Sequence, residues 1–163
     1  AQSAAAPAPT TYVHCGKLVD TRAGKLLGPH TITVSGERIA AVTAGAPAAS
    51  ASPVIDLSAQ TCLPGFIDLH VHLAMEQNRD SYSEGFRMNP ADFALRATRH
   101  ARVTVEAGFT SVRDLGAADG IAISMRNAIN QGWVVGPRVY AAGKSIATTG
   151  GHADPTNGIN QRL

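Results

Sequence analysis

From residue 61 the chain alternates strand-like and helix-like stretches, and this alternation limits its possible folds more than any other feature. The apolar run Phe66 to Leu73 reads as a strand, and Glu76 to Asn89 as a polar loop long enough to be functional. A helix should then begin, because Asn89 is a fair N-cap, Pro90 suits the first helical position and Asp92 favours the positive helix end. Phe93, Ala97, Ala101 and Val105 recur four residues apart on its buried side, and Gly108 supplies the stop. Thr110 to Leu115 reads as the next strand, Ile121 to Gln131 as a second helix closed by Gly132, and Arg138 to Ala142 as a third strand. Such an order is parallel α/β, either doubly wound or a closed barrel. With no GxGxxG or P-loop pattern, and with polar residues at the strand ends, a (β/α)8 barrel is favoured.

Before residue 61 the pattern is different. Tyr12 to Asp20, Thr31 to Val34, Arg38 to Val42 and Val54 to Leu57 read as short strands of a β-meander, with a turn at Ser35-Gly36-Glu37. The expected organisation is a flexible tail over residues 1–10, a small β domain over 11–60 and three β/α units over 61–163.

Composition narrows the function. The 163 residues are 44% apolar and 16% charged, and a net charge of +2 from 14 basic and 12 acidic side chains forms no basic block. Neither nucleic acid nor an anionic membrane is therefore an expected partner, and a small molecule is. No apolar run reaches the roughly 20 residues that cross a bilayer. The chain starts at Ala1, and the small-residue segment Ala1 to Pro9 resembles what remains after signal-peptide cleavage. A periplasmic or secreted protein is expected on that basis, with a plain tail on a cytoplasmic protein as the alternative. Cys15 and Cys62 form no CxxC motif, so buried free thiols are the default reading, and a disulfide between them is an option for an exported protein.

Asp68-Leu69-His70-Val71-His72 carries the chemistry. In a strand, alternate side chains share a face, which would put Asp68, His70 and His72 together with the histidine Cα atoms roughly 6.6 Å apart. Two imidazoles at that spacing can converge on one metal ion. Asp68 could brace an imidazole or accept hydrogen bonds from loop amides. Asp114, at the end of the second strand, is a candidate substrate-facing carboxylate, or else pairs with Arg113 or caps a turn.

With these residues in hand, the string Leu63-Pro64-Gly65-Phe66-Ile67-Asp68-Leu69-His70-Val71-His72 after a β-meander resembles the metal-dependent amidohydrolase superfamily. The resemblance is to its imidazolonepropionase-like branch, which includes Xaa-Pro and Xaa-Arg dipeptidases, carboxypeptidases and ochratoxinase-like enzymes. It implies a β-sandwich flanking a TIM barrel whose first strand ends in His-x-His, with His70 and His72 as ligands of one or two Zn2+ ions. Thr148-Thr149-Gly150-Gly151-His152-Ala153-Asp154 resembles the loop after the third strand, which implies that His152 holds a substrate carbonyl or carboxylate; an exposed histidine on a Gly-Gly turn is the plainer reading. Lys144 follows the third strand, whereas the carboxylated lysine of the superfamily belongs to the fourth.

Three β/α units are fewer than the eight a barrel needs. The resemblance places the lysine, two more histidines and a general-base aspartate beyond Leu163, so no catalytic base is assigned within these residues. The remainder of the barrel is an expected partner, and a homo-oligomer is implied by the resemblance. The implied activity is hydrolysis, by metal-activated water, of the amide bond of an N-acyl amino acid, a dipeptide or an ochratoxin-like conjugate. Cyclic amide hydrolysis of the imidazolonepropionase type and a non-catalytic scaffold are the alternatives. The protein isolated from its source is expected to weigh more than 16.9 kDa or to carry a second fragment; intact mass measurement checks this, and a lone folded monomer of that mass would contradict it.

Overall fold

The computed structural model describes residues 8–49, 53–154 and 156–157, which fall into two compact units, Ala1–Pro64 and Gly65–Leu163. Of the tail expected over residues 1–10, residues 1–7 lie outside the described ones, and Thr10 already belongs to a strand.

The first unit is one five-stranded sheet of β1 (Thr10–Asp20), β2 (Lys25–Leu27), β3 (His30–Ser35), β4 (Arg38–Ala44) and β5 (Val54–Cys62). β1, β3 and β4 form the expected antiparallel run. The β3–β4 loop is two residues long, and Gly36, at φ 57°, takes the left-handed conformation that so tight a hairpin requires. β2 escaped the sequence reading because three residues are too few to show alternation. The meander breaks at β5, which returns to pair in parallel with β1, Val13 opposite Ile55 and Cys15 opposite Leu57.

This pairing overturns the free-thiol reading. The register of β1 and β5 shifts between Cys15 and Lys17, setting Leu18 opposite Cys62 and bringing the Cys15 and Cys62 Cα atoms within 5.8 Å, and the two cysteines are disulfide-bonded. Gly16 sits at the irregularity, where a Cβ would run into the Ser58 carbonyl. Packing of β5 onto β1 therefore depends on a glycine at this position.

The second unit is a parallel sheet, β6 (Phe66–Val71), β7 (Phe109–Asp114) and β8 (Arg138–Ala141), in chain order, with helices α1 (Ser81–Arg87), α2 (Pro90–Glu106) and α3 (Ile121–Asn130). α2 starts and stops where the sequence says. The Asn89 N–H donates to Asp92 Oδ2 at 2.8 Å, and Gly108 takes φ 95°. Its buried face is Ala97 and Ala101, with Phe93 packed at the margin, against Ile121, Ala122 and Met125 of α3. Small side chains let the elements approach closely: a Cβ on Gly136 would meet Ala101 and Ile129. Beneath the helices lie Leu73, Val112 and Val139.

β6 was expected to be buried throughout, and it is not. Ile67 is 66% and Leu69 58% exposed, because among the described residues β6 pairs only with β7 and nothing covers that face. α1 was read as part of a polar loop; seven residues with a central glycine show no helical period.

Closing 47 residues with a disulfide lowers the entropy of the unfolded chain by an amount worth about 4 kcal/mol. Cys15→Ser with Cys62→Ser should therefore cost the first unit up to that much. Denaturant unfolding compared with the oxidised parent measures the loss, and an unchanged midpoint would refute it.

Candidate metal centre

The strand that carries the two histidines is not a simple alternating one. Between Asp68 and Val71 the chain of β6 advances three residues while its partner advances two, from Val112 to Asp114, so β6 bulges by one residue. The expectation that Asp68 shares the histidines' face rested on unbroken alternation, which this bulge interrupts. Asp68 Oδ1 instead accepts the His70 backbone N–H at 3.0 Å, which is the amide-acceptor alternative; no bond to an imidazole is made among the described residues. On the same peptide group, the Leu69 carbonyl accepts a hydrogen bond from Arg113 Nε at 2.7 Å. A bulge that would leave both polar ends of one peptide unpaired thus has them satisfied by two side chains.

β6 ends at Val71, and His72 is the first residue past it. Its Nδ1 lies 2.8 Å from the Gly116 carbonyl oxygen, which can only accept, so Nδ1 is the donor and, in the neutral ring, Nε2 is the nitrogen with the free lone pair. The His70 and His72 ring centroids are 5.4 Å apart at 69°. Two imidazoles bound to one tetrahedral ion through roughly 2.05 Å bonds would have centroids about 5.2 Å apart, close to the observed separation. His70 is exposed and His72 half-buried. Among the described residues no three histidine, cysteine, aspartate or glutamate side chains cluster closely enough to hold a metal. Two imidazoles alone fall short of the three protein ligands of a catalytic zinc.

Of the readings of Asp114, as a substrate-facing carboxylate, a partner of Arg113 or a cap on the next turn, its contacts match the last. It is fully buried, with Oδ2 accepting the Leu73 N–H at 2.9 Å and Oδ1 the Gly116 N–H at 3.0 Å. Both oxygens are committed to backbone, because two strand ends meet at this point with amides that the ladder cannot pair. His152 is exposed on the loop after β8, and that loop is organised by Asp154 rather than by the histidine. Asp154 accepts the Gly150 N–H and the Thr156 N–H and hydroxyl, which hold its carboxyl below the ordinary aspartate value. Lys144 is exposed in the same region. Sequence reasoning named Arg113 only as a partner for Asp114, and it missed Gly116 and His100, whose Nδ1 lies 2.8 Å from the Leu73 carbonyl oxygen. The one available signal was the unbroken string Arg113-Asp114-Leu115-Gly116 at a strand end.

The amidohydrolase family profile matches residues 61–162, more than half of the chain. The chain belongs to the amidohydrolase family. Among curated proteins it is 34% identical over 93 residues to ochratoxinase of Aspergillus niger, covering 56% of this chain and 19% of that one. Among solved structures it is similar to a Xaa-Pro dipeptidase with bound methionine in the active site, at 40% identity and TM-score 0.85 over 94% of this chain and 38% of that one. It is also similar to a prolidase complexed with N-methylphosphonate-L-proline, at 34% identity and TM-score 0.75 over 88% of this chain and 34% of that one. The chain thus spans well under half the length of these relatives.

In this amidohydrolase the residues after His72 lead into α1, which is tied to α2 by an ion pair. Arg96 Nη1 lies 2.8 Å from Glu84 Oε1, and Asn78 Nδ2 also reaches that oxygen at 3.3 Å. The Arg96 guanidinium, followed by Asn78, holds the Glu84 carboxyl below its ordinary value of 4.5. A depressed carboxyl stabilises the fold above its unfolded pKa and loses that contribution as pH falls through the lower, folded one. Anchoring of α1 should therefore be intact above pH 4.5 and weaken below it. Hydrogen exchange of the α1 amides should speed up relative to α2 on acidification, and Glu84→Gln should remove the difference between neutral and acidic pH.

Proposed function

We propose that this amidohydrolase is a zinc-dependent enzyme that hydrolyses the amide bond of a dipeptide, an N-acyl amino acid or an ochratoxin-like conjugate. The observation that carries the reading is the paired geometry of His70 and His72, with the His72 Nδ1 engaged by the Gly116 carbonyl so that the neutral ring would offer Nε2 to a metal. The named relatives support the substrate class, since one is an ochratoxinase and two act on or bind proline-type compounds. When bound, the ion would lower the pKa of its water to roughly 7 and polarise the scissile carbonyl.

The residues of this chain hold and orient. His70 and His72 supply two imidazole nitrogens, and Gly116 keeps the second one in the tautomer that ligates. His152, on its exposed loop, is the candidate to receive a substrate carboxylate or carbonyl oxygen. The further ligands and the general base lie outside the described residues on this reading, on the later strands of a TIM barrel that β6, β7 and β8 begin, and the β1 to β5 sheet is part of a β-sandwich. A homo-oligomer in an oxidising compartment, periplasmic or extracellular, is part of the same proposal, and the Cys15–Cys62 disulfide supports the compartment.

The assembled protein should contain about one to two zinc equivalents per chain. His70→Ala with His72→Ala should remove the metal and abolish hydrolysis of Xaa-Pro dipeptides or N-acyl amino acids. Elemental analysis alongside the assay decides it, and full activity in the double variant would refute the assignment.

A further inference from the structure

The end of β7 and the two residues after it hold the His70-Val71-His72 segment and its flanks at several points. Before His70, the Leu69–His70 peptide is held at its oxygen by Arg113 Nε at 2.7 Å and at its N–H by Asp68 Oδ1 at 3.0 Å. Between the two histidines, the Val71 carbonyl accepts the Leu115 N–H at 3.1 Å. After His72, the Leu73 N–H is held by Asp114 Oδ2 at 2.9 Å. The imidazole of His72 ends on the Gly116 oxygen, and Gly116 is in turn fixed through its own N–H by Asp114 Oδ1. Residues 113 to 116 therefore grip the segment at four successive points, two of them through side chains.

We propose that Arg113 and Asp114 are positioning residues that set the metal affinity of the His70–His72 pair, a role resting on the metal-site reading above. Arg113 holds the bulge. Without its guanidinium the Leu69 carbonyl loses its partner, and the strand can relax toward regular alternation, which re-aims His70. Asp114 holds the exit. Without its second acceptor either the Leu73 N–H or the Gly116 N–H is stranded in a buried setting, and the Gly116 oxygen no longer stays opposite His72 Nδ1. Neither side chain offers an atom to the metal, because Asp114 is fully buried with both oxygens occupied and Arg113 has no acceptor. Outer partners of this kind commonly alter metal affinity 10- to 100-fold.

The test uses the intact protein stripped of metal and titrated with Zn2+ against a chromogenic chelator, with Co2+ absorption as a reporter of coordination geometry. Arg113→Met keeps the apolar stem and deletes the donor, Arg113→Lys restores a donor, and Asp114→Asn keeps the shape while turning one acceptor into a donor. The expected result is zinc binding roughly 10- to 100-fold weaker in Arg113→Met and Asp114→Asn, with altered Co2+ bands, an unchanged melting transition for Arg113→Met and partial recovery in Arg113→Lys. Should Asp114→Asn fail to fold, the two Arg113 variants decide the matter. Parental zinc affinity and Co2+ spectrum in Arg113→Met overturn the positioning role while the metal site stands, provided His70→Ala with His72→Ala abolishes binding. Zinc retained by that double variant instead overturns the metal-site reading itself.

Discussion

A single buried carboxyl joins the two strand ends on which the site is built. Asp114 has no solvent to hydrate it, and an unpartnered carboxylate in that position would be costly, so its burial is tolerable only because two backbone amides face it. The chain leaving β6 and the chain leaving β7 each contribute one of those amides, from Leu73 and from Gly116. Each would cost about 1–3 kcal/mol if left buried without a partner. The loop after β8 joins the same junction. A Cβ at Gly116 would collide with the Ser145 side chain, and the Ser145 hydroxyl donates to the Leu115 carbonyl at 3.3 Å. All three strand ends of the second unit are thus gathered within reach of residues 114 to 116.

The packing behind this junction explains why it can be rigid. Val112 and Val139 sit side by side in register on neighbouring strands, with Leu73 completing the cluster, and all three are nearly fully buried. Ala97 and Ala101 of α2 have no exposure at all, which places that helix against its neighbours with little more than methyl groups between them. His100, one residue before Ala101, reaches the Leu73 carbonyl from this helix. The peptide groups on either side of Leu73 are consequently pinned from two directions, by β7 through the N–H and by α2 through the carbonyl.

What could be read from the sequence follows the range of the interactions involved. The bounds of α2 are set by Asn89, Pro90, Asp92 and Gly108, all of which act on backbone within one turn, and they were legible. So were the parallel order of strands and helices and the His-x-His pair. The bulge at Asp68 to Val71 was not, because it exists only relative to β7 and is stabilised by Arg113, more than forty residues away in the chain. The Cys15–Cys62 bond was hidden for a similar reason: it requires β5 to leave the meander and lie parallel to β1. Asp114 was singled out correctly as a carboxylate that matters at a strand end, yet its burial, and hence its inward role, depends on what packs over it.

The bulge also changes what the His-x-His pattern means physically. Plain alternation would put both rings on a regular strand, equally free to turn. In this structure the two differ, since the His72 ring is half-buried and tied to Gly116, while the exposed His70 ring makes no hydrogen bond among the described residues. One ring is therefore held in position through its own nitrogen, and the other only through its backbone, by Asp68 and Arg113. On the proposed metal-site reading, the side-chain entropy lost in bringing the two rings onto one ion would fall mainly on His70, because the Gly116 contact already restricts the His72 ring.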